Sequence, residues 1–289
     1  VSAGSRSMSW SELTAPYAFE FFRNGVYVAT MAGALCGLVG CYVVLRNMSY
    51  IGHGLSHAIF GGYAAAGLIG VNLFLGAGIW GVVTALAIGG IVRRRPIGSD
   101  AAIGVVTTAS FALGIALVAR YGSPGRSADS LLFGNVLGVN TSDVWLVVGV
   151  SLAAFVFIVC AYRPLLFTTF DEEVAQATGV RTTWVDIALM IVLAATVLAT
   201  MNVMGVTLIA ATLVVPAVVA RMLTDSFSAM LVIATAVGAV SGFVGMNLSY
   251  HHDLPSGSTI VLVGTVFFVV AYLGGGRFRS RAGTVAHAH

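Results

Sequence analysis

From Asn47 to Val92 the chain runs for 46 residues without a lysine, arginine, aspartate or glutamate. A helix of about 20 apolar residues crosses a hydrocarbon core of about 30 Å. The stretch is therefore long enough for two crossings, with a turn near GVNLFLGAG. Across the whole chain 58% of residues are hydrophobic and 9% are charged, against about 25% charged in ordinary soluble domains. A soluble fold of this composition would leave a mostly apolar surface. The expected class is an all-α integral membrane protein, a bundle of eight or nine transmembrane helices.

The other spans read off between charges. They are Asn24–Leu45, Ala101–Ala119, Val144–Tyr162, Ser226–Tyr250 and Ser256–Leu273, with Ile187–Ala220 crossing once or twice. Arg93–Arg95 form one basic cluster, and Arg277, Arg279 and Arg281 form another. Cytoplasmic loops carry the excess of positive charge. If both clusters are cytoplasmic, an even number of spans separates them, and Ile187–Ala220 must cross twice, turning at MNVMG. That gives nine spans, with the N-terminus outside and the C-terminus inside. Only Arg6, Arg23, Arg120 and Arg126 then lie outside. Residues 1–20 are expected as an N-terminal tail, in part (VSAGSRS, before Met8) added sequence. Residues 21–274 are expected as a single transmembrane domain and 275–289 as a cytoplasmic tail.

All fourteen basic residues are arginine. A Walker A loop needs a lysine on the nucleotide phosphates, and a Schiff-base enzyme needs a lysine amine. The chain supplies neither. Its net charge of +3 is small and carries no nucleic-acid signal. Cys36, Cys41 and Cys160 fall in apolar runs without a CxxC and are expected as buried apolar residues. GALCG (Gly33–Gly37) and GAVSG (Gly238–Gly242) have the spacing that lets helices approach closely.

Two segments break the apolar pattern. TTFDEEVAQATGVR (Thr168–Arg181) is too short to cross. Thr169 and Glu172 fit a capping box, Asp171, Glu172 and Glu173 place negative charge at a helix N-terminus, and Gly179 is a natural stop. The segment reads as a short cytoplasmic helix, either a plain solvated one or a docking helix for a soluble partner. The capping suits the second reading.

The other is IGHGLSHAIF, residues 51–60. His53 and His57 are four apart and share one helix face, with Ser56 alongside. Counted as helix from Arg46, they rise roughly 10 and 16 Å, near the bilayer midplane. Ionisable residues at that depth usually face a cavity or the bundle interior. Paired imidazoles at i, i+4 suit a first-row transition metal, and they also suit hydrogen bonding between helices. A third cluster, His251, His252 and Asp253 in SYHHDLPSG, fits a metal-binding mouth or the docking of a donor protein, and equally an ordinary polar loop.

Several blocks, in order, resemble one family: VGCYVVLRNMSYIGHGLSHAIFGG, SDAAIGVVTTASFALGIAL, LLFGNVLGV, FDEEVAQATGV, MGVTLIAATLVVPAVVARML and DLPSGSTIVLV. They are similar to the membrane (permease) subunits of ATP-binding-cassette importers of manganese, zinc or iron, the ABC-3 family. The resemblance runs from about Phe21 to Leu273. It implies a multi-pass subunit of the bacterial cytoplasmic membrane, paired with a second permease copy. It implies a cytoplasmic ATPase dimer that holds the ATP and an extracytoplasmic metal-binding protein. This chain would bind no cofactor and would not itself be an enzyme; the transported ion is its substrate. FDEEVAQATGV, with Asp171, Glu172, Glu173, Ala175 and Gly179, looks like the coupling helix that docks on the ATPase. The metal path would follow the dimer interface along span two, with His53 and His57 as ligands. His57 matches the family's usual histidine, whereas the position of His53 is commonly an aspartate.

A proton-coupled secondary metal transporter, with His53 and His57 as a relay, is the alternative reading. An intramembrane hydrolase is disfavoured: there is no HExxH, and GLSHA is not a GxSxG elbow.

Overall fold

Every regular element among the described residues is helical, as lipid-facing backbone requires. The computed structural model describes residues 14–94, 98–121 and 139–285. Arg6, Arg95, Arg126 and most of LLFGNVLGV lie outside them. After a short 3₁₀ turn at Ala15–Ala18 come α1 (Glu20–Leu45), α2 (Ile51–Ile69), α3 (Leu73–Arg94) and α4 (Ser99–Tyr121). Then follow α5 (Thr141–Cys160), α6 (Tyr162–Phe170), α7 (Glu172–Ala177), α8 (Thr182–Met204), α9 (Ile209–Leu223), α10 (Phe227–His252) and α11 (Ser256–Val285).

Seven of these are long and apolar enough to cross a membrane: α1, α3, α4, α5, α8, α10 and α11. Helix α2 falls short because two histidines and several glycines lower its hydropathy. Helix α9 has only 15 residues, about 22 Å of helix. Helix α11 continues to Val285, past the expected boundary at 274. As expected from MNVMG, α8 and α9 are separate helices, and the break is at Gly205 (φ 77°).

Contacts define two ends of the bundle. At one, the Tyr17 hydroxyl donates to Asn247 Oδ1 (2.9 Å), and Phe22 packs on Tyr250 at 4.7 Å, so the start of α1 meets the end of α10. At the other, Phe227 at the start of α10 packs on Tyr42, Tyr162 and Phe170. The pairing of α1 with α10 is the most extensive among the described helices. Its cause is visible in the two glycine motifs. A Cβ on Gly33 would overlap the Gly238 carbonyl, and one on Gly238 would overlap that of Gly33. The backbones thus touch where GALCG crosses GAVSG, gaining dispersion contacts that larger residues would forbid.

Cys36 and Cys41 are buried as expected, but Cys160 is exposed. It is the last residue of α5, most of whose surface points away from the bundle. An apolar residue there faces lipid rather than core.

Candidate functional site

Helix α2 carries the histidine pair, and its packing explains why the pair is held in place. One side of α2 is locked into the bundle. Ser56 is fully buried, and its hydroxyl lies 2.8 Å from the His53 carbonyl and 2.7 Å from the Val206 carbonyl. Val206 belongs to the break between α8 and α9, residues 205–208. Gly61 packs so closely on α4 that a Cβ would meet the Ser110 carbonyl at 2.5 Å. The Trp80 indole N–H donates to Ser110 Oγ (2.6 Å), which lies 3.3 Å from the Ala58 carbonyl. That chain ties α3, α4 and α2 together at Ala58, the residue after His57.

The opposite side of α2 is uncovered. Tyr50 is 65% exposed, His53 is exposed and His57 is half-buried. The two imidazoles lie with ring centroids 4.4 Å apart, at 78° to each other. On its far side the His57 ring meets Phe111 of α4 at 4.7 Å, and Phe111 in turn packs on Phe60 at 5.6 Å. The ring thus touches two other rings, and its Nδ1 is buried without a hydrogen-bond partner among the described residues. Phe111 was not singled out by the sequence, since it reaches His57 only through the close α2–α4 crossing.

The depth of the pair differs in origin from the expectation. Residues 46–50 are a turn, with Asn47 in the left-handed region (φ 54°), and α2 begins only at Ile51. A helical rise counted from Arg46 therefore does not apply. Contacts fix the level instead: Gly52 lies against Leu213 of α9, and Ser56 reaches Val206. His53 sits between those two levels, inside the bundle's length.

Among the described residues, no three or more His, Cys, Asp or Glu are grouped to hold a metal ion. His53 and His57 offer two ligands, half of a tetrahedral set. His251, His252 and Asp253 do not converge. His251 Nδ1 is engaged with the Asn247 carbonyl at 2.8 Å, and Asp253 (φ 55°) ends α10 as its cap.

At the other end, α7 is capped differently from the expectation. Its N-cap is Asp171, whose Oδ1 accepts from the Val174 amide at 2.9 Å. Thr169 cannot serve, because it belongs to α6 and its hydroxyl accepts from Arg46 Nε at 3.2 Å. Glu172 and Glu173 fill the first turn of α7, Ala175 is its buried residue, and Gly179 (φ 81°) lies just past its end. The sequence also missed Arg46. Its Nη1 donates to Asp186 Oδ1 at 2.7 Å and its Nη2 to Thr168 Oγ1 at 2.8 Å.

The profile of the ABC 3 transport family matches residues 18–275. This chain belongs to that family. Among its relatives, the manganese transport system membrane protein MntC of Halalkalibacterium halodurans is 37% identical over 254 residues, 88% of this chain and 87% of that protein. A probable iron transport system membrane protein of Haemophilus influenzae is 35% identical over 259 residues, 90% of this chain and 95% of that one. Among solved structures, PsaBC from Streptococcus pneumoniae in complex with Fab superposes with a TM-score of 0.81 at 32% identity, covering 91% of this chain and 95% of its counterpart. An inward-facing putative metal-chelate type ABC transporter shares the fold at 17% identity, with a TM-score of 0.68. As a member of the ABC 3 transport family, the chain is a multi-pass membrane protein and a transport component.

Proposed function

We propose that this ABC 3 family member is the permease subunit of an ATP-driven importer of divalent first-row metal ions. The observation that carries the reading is the His53–His57 pair, ring centroids 4.4 Å apart on the uncovered side of a helix whose other side packs into the bundle. Two imidazoles leave an ion short of ligands. A second copy of the chain, set against the Tyr50–His53–His57 stripe, completes the set with two more. Relatives named for manganese and for iron transport support the substrate class.

In this reading the N-terminus is extracytoplasmic and the C-terminus cytoplasmic, in the bacterial cytoplasmic membrane. ATP is bound and hydrolysed by a cytoplasmic ATPase dimer on separate chains, and α7 docks on it through Asp171, Glu172 and Glu173. An extracytoplasmic metal-binding protein delivers the ion at the end where His251, His252 and Asp253 lie. The histidine pair then holds it briefly: strongly enough to admit it, weakly enough to let it go. Family membership disfavours a proton-coupled secondary transporter.

The test is uptake in vesicles holding the permease, its ATPase and its binding protein. His57→Ala is expected to abolish ATP-dependent uptake while the assembled complex still purifies intact. Normal uptake by that variant would remove the histidine pair from the path.

A further inference from the structure

Arg46 is a charged residue held largely inside the protein: its side chain is 12% exposed, and that of its partner Asp186 22%. Each of its three guanidinium nitrogens goes to a different side chain. Nη1 reaches Asp186 on α8, while Nη2 and Nε reach Thr168 and Thr169 on α6. A planar guanidinium can serve three acceptors in this way, whereas an ammonium on a flexible stem cannot hold the same fork. Thr168 and Thr169 lie three and two residues before Asp171, the cap of α7.

The backbone of Arg46 leads the other way. Its amide closes α1 on the Tyr42 carbonyl at 3.0 Å. The Met48 amide then donates to the Val43 carbonyl at 2.9 Å, and the Ile51 amide to the Met48 carbonyl at 2.9 Å. Met48 is buried in the core. Residues 46–51 are therefore a tight hydrogen-bonded link, not a slack loop, and its far end is the first residue of α2. A cavity of about 780 Å³ borders the fork, lined by Arg46, Thr168, Thr169 and Asp186 and by apolar residues such as Leu86 and Met190. Packed interiors resist displacement. The cavity supplies the room that a moving segment at this end needs.

We propose that Arg46 is a positioning residue that transmits displacement of the α6–α7 segment to the helix bearing His53 and His57. The proposal rests on the importer reading above. The bonds to Thr168 and Thr169 grip the segment next to the ATPase, the bond to Asp186 ties it to α8, and the rigid 46–51 link passes the motion to the start of α2. Coupling then depends on the fork to Thr168 and Thr169 as well as on the charge pair with Asp186.

The experiment measures ATP hydrolysis and uptake of manganese(II) and iron(II) in the same vesicles, with the complete complex. The double variant Thr168→Val with Thr169→Val removes only the α6 acceptors, and Arg46→Lys keeps the charge but not the fork. For both, hydrolysis is expected to stay within about twofold of the parent, while metal moved per ATP falls about tenfold, an ordinary coupling strength. Unchanged uptake per ATP in both variants would overturn the proposal. So would a proportional fall of hydrolysis and uptake, which marks a merely structural role. Absence of ATP-dependent uptake in the parent complex would instead sink the importer reading, and the proposal with it.

Discussion

The Ser56 hydroxyl reaches the carbonyl of Val206 at 2.7 Å, across the helix that carries both histidines. One residue thus serves two needs. It gives the break between α8 and α9 a hydrogen-bond donor, and it pins α2 so that His53 and His57 face the open side. Ser256 does similar work on the neighbouring Val203 carbonyl at 2.9 Å.

Removing that donor leaves the Val206 carbonyl without its cross-helix partner. Hydrogen bonds between membrane helices are worth about 0.5–2 kcal/mol. Ser56→Ala is expected to lower the stability of the detergent-solubilised protein by that amount and to weaken uptake. A melting curve and transport rate both equal to the parent's would show that the bond holds nothing.

The α1–α10 crossing is more sensitive. A valine at Gly33 would push into the Gly238 carbonyl, and backbone against backbone has no side chain to yield. Overpacking costs typically 1–3 kcal/mol. Gly33→Val is expected to reach or exceed the upper figure, while Gly90→Ala, where a Cβ meets nothing within 4 Å, should be close to neutral. Thermal aggregation of the purified variants compares the two directly. Equal effects would contradict the close crossing.

The cap of α7 can be tested apart from its partner. Asp171→Ala removes the acceptor for the Val174 amide, a loss of about 1 kcal/mol in typical caps. It should reduce co-purification of the ATPase, because a six-residue helix has little else to hold its shape. Glu173→Gln keeps the cap and changes one charge, so it reports the electrostatic part of docking. Cross-linking between α7 and the ATPase that survives Asp171→Ala at full yield would argue that the cap is irrelevant to docking.

His53 offers a test of metal preference. Imidazole suits iron and zinc, whereas manganese favours oxygen. His53→Asp gives each copy one carboxylate and one imidazole, adding charge compensation for a dication. Competition uptake is expected to shift toward manganese(II) by about tenfold or less, relative to iron(II) and zinc(II). An unchanged ratio would mean that selection occurs elsewhere.

Much of this was legible in the sequence because burial in lipid writes itself as long uncharged runs. The helical membrane class, the break at MNVMG and the partnership of GALCG with close packing all follow from local composition. The short-range pair of His53 and His57 was legible for a related reason: both residues sit on one helix. What failed were assignments that needed the fold. Thr169 and Asp171 are both good caps two residues apart, and α6, which runs to Phe170, decides between them. The Arg46 fork joins residues 122, 123 and 140 positions apart, and no local pattern marks it. The helical rise of His53 counted from Arg46 fails because residues 46–50 are a turn.

The break between α8 and α9 has a consequence for how the protein is made. The Val206 carbonyl within it accepts from Ser56 of an earlier helix, and the Val203 carbonyl, in the last turn of α8, accepts from Ser256 of the last one. Irregular backbone cannot rest against lipid. The α8–α9 hairpin therefore has no stable berth in the bilayer until α11 emerges. Biogenesis must keep that hairpin sheltered, at the insertion machinery or against α2, until the final helix of the chain arrives to close it in.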